Sequence, residues 1–188
     1  MRRWLVAAVL GGIVVFSWGF LSHVALPLGD VGHYRADREE PILQAMRENL
    51  PREGVYILPG LDPEQWGNPE AEADYVARAR ANPYAMVIYQ PVGRDGLDMT
   101  RELLVELVSN LLAAGLVAWV LGLGTFGFGR RVAISTGMGL FGWLMIGVPY
   151  WNWYRFPLDF TLAGLVQHVA GWSLAGLAMA WWLGRKGG

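Results

Sequence analysis

Residues 4–26, "WLVAAVLGGIVVFSWGFLSHVAL", follow Met1-Arg2-Arg3 and decide how the chain is organised. A helix of roughly 20 such residues crosses about 30 Å of hydrocarbon. A secretory leader shares the basic start and the apolar stretch. This run is too long for a typical leader core and lacks an A-x-A-like exit, so we read it as a retained anchor. Three further apolar runs follow, at 103–123, 132–150 and 160–183, the third of them short and rich in glycine. Residues 27–100 hold most of the charge and cannot span.

Composition agrees. Only 16% of the 188 residues are charged and 54% are hydrophobic, against about 25% charged in an ordinary soluble domain. The net charge of -1 gives no whole-chain electrostatic case for nucleic acid. With no cysteine, disulfides, thiol catalysis, iron–sulfur clusters and cysteine-type zinc sites are excluded.

Arginine and lysine set the orientation. Arg2 and Arg3 precede the first run, Arg130 and Arg131 separate the second from the third, and Arg185 and Lys186 follow the fourth. Four crossings put all three clusters on one side, which the positive-inside rule makes cytoplasmic. Both termini are then cytoplasmic, and residues 27–100 and 151–159 lie outside.

The insert reads as two helix–strand units. Helical spacing runs over 38–51, a β-branched and aromatic strand pattern over 54–60, a second helix over 68–83 and a second strand over 84–93. Asn68 is placed to cap the second helix with Pro69 at its first position. The loop 59–69 carries Trp66, either as a packed turn or as a partner contact. A domain of this size buries only a modest core, so it is expected to pack on the helices or on a partner.

Ionisable residues inside spans are functional candidates because hydrocarbon makes them costly. Glu102, Glu106 and Asn110 follow one another at i, i+4, i+8 and share a stripe of the second span. Gln167 and His168 lie in the fourth span and His23 near the end of the first. At ~1.5 Å per residue, Asn110 and His168 lie roughly 10–12 Å below the outer surface and His23 about 5 Å. The polarity is one-sided, unlike that of a channel or pump with polar groups through the full thickness. A polar pocket between the second and fourth spans is one reading, and hydrogen bonds between helices, such as Asn110 with Gln167 or His168, are the plainer one. His23 and His168 are the available pair for a b-type haem, and with Glu106 for zinc, although no recognised ligand spacing accompanies them. No catalytic residue and no metal ligand is assigned.

Small residues mark helix contacts: Ala7, Gly11 and Gly19 in the first span, Gly137, Gly139, Gly142 and Gly147 in the third, and Ala163, Gly164, Gly171, Ala175 and Gly176 in the fourth. Trp181 and Trp182 read as an interfacial anchor. The stretch 148–160, "VPYWNWYRFPLDF", reads as an outer turn flanked by Pro149 and Pro157. Its Trp151, Trp153 and Tyr154 suit an aromatic belt, with Asn152, Arg155 and Asp159 beside them. A platform for the insert, or a lid over the polar cluster, is the alternative reading of this turn.

The strings "WGFLSHVALPLG" (18–29), "VYILPG" (55–60), "MVIYQPVG" (86–93) and "YWNWYRFP" (150–157) together resemble a family of bacterial integral membrane proteins with four spans and an insert after the first. The resemblance covers nearly the whole chain. It implies that layout and a bacterial envelope, and carries over no activity and no catalytic residue.

The fold expected is a membrane all-α four-helix bundle with a small external α/β insert, in a bacterial inner membrane. The function expected first is that of a non-enzymatic accessory or assembly subunit, partnered by the bilayer and by another protein or a second copy. An outward-facing binding or transport pocket comes second, and a haem-carrying or metal-dependent enzyme third.

Overall fold

A computed structural model describes residues 2–185, so Lys186 of the last basic cluster lies outside the described residues. The chain divides into two compact units, one of residues 1–34 and 97–188 and the other of residues 35–96.

Four helices of the first unit are long and apolar enough to cross a membrane: α1 (Arg2–Val24), α4 (Thr100–Gly122), α5 (Phe128–Tyr154) and α6 (Leu158–Gly184). At ~1.5 Å per residue they measure roughly 35–40 Å. The helix α1 packs against both α4 and α6, α6 packs against α1 and α5, and α4 meets α5 only sparsely.

Side-chain size is distributed the opposite way to a water-soluble core. Ala7, Ala8, Ala114, Ala118, Ala175 and Ala180 are buried, while Leu112 is 68% and Phe141 65% exposed. Alanine and glycine let helix backbones approach closely where no difference in hydrophobicity drives them together. The buried cluster of Ala7, Ala8, Val117, Ala118, Leu121, Ala175 and Met179 occupies the half near the basic residues. A β-carbon on Gly11 would stand 2.8 Å from Met179 Sδ, and one on Gly176 2.8 Å from Ser135 Cβ. One on Gly139 would stand 2.7 Å from both the His168 carbonyl and Trp172 Cβ. Gly19, Gly137 and Gly142, which belong to the same sequence stripes, face open space.

Hydrogen bonds fix the antiparallel registers. The α1 indole of Trp18 donates to the Gln167 carbonyl at 3.0 Å. On the α5 flank of α6, the Trp143 indole donates to the Thr161 carbonyl at 2.9 Å. Ser135 donates to the Trp172 carbonyl at 2.6 Å, and the Thr136 and Ser173 hydroxyls meet at 2.9 Å. At the basic end the Arg3 guanidinium donates to the Trp182 and Arg185 carbonyls. The Trp182 indole returns a bond to the Arg3 carbonyl at 3.0 Å. A cation on the final carbonyls also complements the α6 dipole. The Arg185 guanidinium lies 3.9 Å from the Trp181 ring centre.

Helix α5 is longer than the apolar run 132–150, because backbone pairing does not stop where apolar side chains do. Arg130 and Arg131 stand in its first turn, and Trp151, Asn152, Trp153 and Tyr154 form its last. The expected turn over 151–159 therefore shortens to Arg155–Pro157, with Asp159 in the first turn of α6. Arg155 closes α5 in the left-handed region with φ 56, its N–H on the Tyr150 carbonyl. Pro149, expected to flank the turn, lies inside α5. It deletes one N–H, the partner of the Met145 carbonyl, which long apolar helices tolerate. Ring contacts run from Tyr154 to Tyr150, Phe156, Phe160 and His33 at 5.2–5.5 Å. Gly32, at φ +77, sits where a β-carbon would be 2.6 Å from Phe160 Cβ.

The start of α4 is held by Asp98, whose carboxylate accepts from the Thr100 N–H at 3.1 Å. Bonds from the Thr100 hydroxyl and N–H hold the Asp98 carboxyl below its ordinary range.

The second unit contains α2 (Glu39–Asn49), β1 (Gly54–Leu58), α3 (Pro69–Ala81) and β2 (Ala85–Tyr89). The strands pair antiparallel, Gly54 opposite Tyr89 and Leu58 opposite Ala85. Asn68 caps α3 by accepting from the Glu70 and Ala71 N–H groups. Asp62 accepts from the Glu64 N–H in the preceding loop, and Trp66 stands edge-on to Tyr75 at 6.3 Å. No residue of α2 or α3 is buried. The cross-strand neighbours Val55 and Ile88 are 62% and 71% exposed.

Gly139→Ala should cost about 1–3 kcal/mol through backbone overpacking. In mild detergent its melting temperature should fall by several degrees, while Gly137→Ala and Gly142→Ala leave it unchanged or slightly raised. Equal melting of all three would show that the α5–α6 contact does not depend on Gly139.

Candidate functional site

Away from the basic end, α1, α4 and α6 separate around a cavity of about 160 Å³. Its wall comprises Val15, Trp18, Gly19, Ser22 and His23 of α1, Glu106 and Asn110 of α4, and Gln167, His168, Gly171 and Trp172 of α6. Five of the six polar candidates named from sequence thus share one space: Glu106, Asn110, Gln167, His168 and His23. Glu102, two turns from Asn110 on the same stripe, is not part of the wall. Neither are Trp151, Asn152, Trp153, Tyr154, Arg155 and Asp159, so the 151–159 segment does not roof the cavity.

The side-chain bonding differs from that of simple interhelical pairing. Asn110 donates its amide to Glu106 Oε1 at 3.1 Å, one turn back on its own helix. His168 Nδ1 meets the Gly164 carbonyl at 2.8 Å, and His23 Nδ1 meets the Gly19 carbonyl at 2.8 Å. A carbonyl only accepts, so Nδ1 carries the proton in both rings. In the neutral imidazole Nε2 is then left with a lone pair. Ser22 donates to the Gly19 carbonyl at 2.9 Å and lies 3.3 Å from His23 Nδ1.

Packing fixes two of these groups further. A β-carbon at Gly29 would stand 2.3 Å from His23 Cδ2, so the backbone after α1 folds directly over that ring. Gly171 leaves room for Trp18, whose Cδ1 would be 2.8 Å from a β-carbon there. Trp18 in turn reaches the α6 backbone through its bond to Gln167.

Trp18, Ser22, Gly19, Val15, Gly171 and Trp172 were not named as site residues from sequence. The signal was available. Val15, Trp18, Gly19 and Ser22 follow an i, i+3, i+4, i+7 stripe, and Gln167, His168, Gly171 and Trp172 follow i, i+1, i+4, i+5. Tryptophan at these positions reads first as belt or core, which conceals it.

Among the described residues no group of three or more His, Cys, Asp or Glu is placed to hold one metal ion. The volume lies below the roughly 300–1,000 Å³ of pockets that take drug-sized ligands. It suits about five waters at ~30 Å³ each, or one molecule the size of benzene.

The chain matches no family model, and comparison with curated proteins and with solved structures likewise gives no match.

Nitrogen-15 spectra of histidine-labelled protein, assigned with His23→Gln and His168→Gln, should show the Nδ1–H tautomer at both positions in the neutral ring. Predominant Nε2–H at both would contradict the bonding to Gly19 and Gly164.

Proposed function

We propose that the chain is a multi-pass membrane protein that binds a small polar ligand, without covalent chemistry, in the cavity between α1, α4 and α6. One observation carries the reading. Six polar residues from three helices, Ser22 and His23, Glu106 and Asn110, and Gln167 and His168, converge on a single space in a mostly apolar bundle. Polar side chains that only join helices bond to the neighbouring helix, as Ser135, Thr136, Trp18 and Trp143 do. Glu106, Asn110, His23 and His168 bond along their own helices instead. The remaining polar atoms are therefore available to a ligand.

Membrane insertion is supported by four long apolar helices and by the outward placement of their large side chains. The positive-inside rule places the Arg3, Arg130–Arg131 and Arg185 end in the cytoplasm, and the cavity and residues 35–96 on the other side. We assign the protein to a bacterial inner membrane on the resemblance of its sequence. A haem or metal-dependent enzyme is the weaker reading, since about 160 Å³ is small for a porphyrin and, among the described residues, no three ligand-type side chains are placed to hold one ion.

A second reading, an accessory or assembly subunit, is favoured by the second unit. It has no buried residue in either helix and exposes Val55, Ile88 and Trp66. A partner protein or a second copy covering that surface would bury a core the unit lacks alone.

The absence of cysteine makes single-cysteine reporters unambiguous. Gly19 faces open space on the cavity wall, and Gly137 faces open space on α5. Gly19→Cys should react with a small neutral thiol reagent at least tenfold faster than Gly137→Cys, because the thiolate forms only where water reaches. An inert Gly19→Cys would overturn the cavity reading. Mass determination in mild detergent tests the second reading, and a lone monomer at every concentration argues against it.

A further inference from the structure

We propose that the ligand of this cavity is a small organic cation carrying ammonium N–H donors, a class that rests on the cavity reading above. The inference comes from which polar atoms the fold leaves over. Trp18 commits its N–H to Gln167, Ser22 its hydroxyl to Gly19, and Asn110 one amide N–H to Glu106. Both histidines commit Nδ1–H to backbone carbonyls.

What remains is mostly acceptor: the second oxygen of Glu106, the carbonyl oxygen of Asn110, and Nε2 of His23 and of His168. The side-chain donors left on the wall are the Gln167 amide, the second N–H of the Asn110 amide and the Trp172 indole. An anion would meet the Glu106 carboxylate and those lone pairs. A neutral polyol would leave the carboxylate without a countercharge. Arg35–Glu39, Arg47–Glu40 and Arg78–Asp74 are ion pairs of the second unit. Among the described residues Glu106 has Asn110 as its partner, and no Arg or Lys lines the cavity.

A carboxylate within an apolar layer is stabilised by a paired charge. The ligand supplies that charge. A bare metal ion fits poorly, because among the described residues no three His, Cys, Asp or Glu side chains are placed to hold one ion. A molecule of about six heavy atoms reaches several of them at once, since a cavity of about 150 Å³ accommodates benzene. Two tryptophans, Trp18 and Trp172, share the wall, and tryptophan is the side chain whose ring attracts cations best.

The probes are 1,4-diaminobutane, 1,4-butanediol and succinate, which share a four-carbon chain and differ in charge. Each is tested for protection of Gly19→Cys against the neutral thiol reagent in detergent. Diaminobutane should slow modification at least fivefold, butanediol and succinate less than twofold. Adding Glu106→Gln should remove the protection by diaminobutane. Equal protection by butanediol, or stronger protection by succinate, overturns the cation class and leaves the cavity standing. A reactive Gly19→Cys that neither these probes nor an added aminophospholipid protects also overturns the class. Failure of Gly19→Cys to react at all is the separate failure of the cavity itself.

An ammonium group can belong to a soluble amine or to an aminophospholipid head. Repeating the assay in phosphatidylglycerol nanodiscs with and without phosphatidylethanolamine distinguishes the two. Protection by the added lipid assigns the lipid head, and protection by the diamine alone assigns a soluble amine. Either result supports the class.

Discussion

The structure of the first unit depends on how closely other side chains can approach the backbone of α6. On one flank Gly171 admits the Trp18 indole, and on the other Gly176 admits Ser135. The α5 glycine Gly139 reaches the His168 carbonyl in the same way. Apolar helices in an apolar medium gain little from hydrophobic sorting, so close contact and hydrogen bonding between them must do the holding. Four donors, from Trp18, Trp143, Ser135 and Arg3, reach α6 carbonyls across helix boundaries. A side chain that pushed α1 or α5 away by an ångström would weaken several of these bonds together.

The cavity follows from the same constraint. Near the basic end, Ala7, Ala8, Ala118 and Ala175 bring α1, α4 and α6 together without space between them. Roughly one to three turns further along, the facing residues change to Trp18, Glu106, Asn110, Gln167 and Trp172. Their size holds the helices apart, and their polarity makes the resulting space suitable for polar occupants. Tight packing in one half and an opening in the other are therefore two results of one gradient in side-chain size.

Much of this was legible in the sequence, because length and hydropathy fix long apolar helices and a 3.6-residue period fixes their stripes. The Glu106–Asn110 stripe and the His168 position led to one cavity. The asymmetry of polarity along the spans corresponds to the division between packed and open halves. Other features depend on partners that no local pattern names. Gly11 and Gly19 share a stripe, yet a β-carbon on one would meet Met179 and on the other nothing within 4 Å. Pro149 reads as a boundary because proline ends helices in water, whereas α5 continues to Tyr154. Local chemistry placed the cap Asn68 and both strands of the second unit correctly, where the deciding contacts lie within a few residues.

The second unit shows the reverse balance of forces. Its order comes from short-range polar contacts: Asn68 on the start of α3, Asp62 on the preceding loop, and Arg78 joining Asp74 at 2.7 Å to the Gly60 carbonyl. Tyr56 donates back to the Arg52 carbonyl at 2.7 Å. Such exposed contacts each contribute little, typically below about 1 kcal/mol. Two paired strands are marginal in water without a covered face. The Val55–Ile88 pair is therefore the place where added burial has the most to contribute. The first unit is held through its backbones and leaves a polar interior space, and the second is held through its caps and leaves an apolar exterior face. The proposed ligand site and the proposed partner surface are then separable, since they rest on different units and are testable by different substitutions.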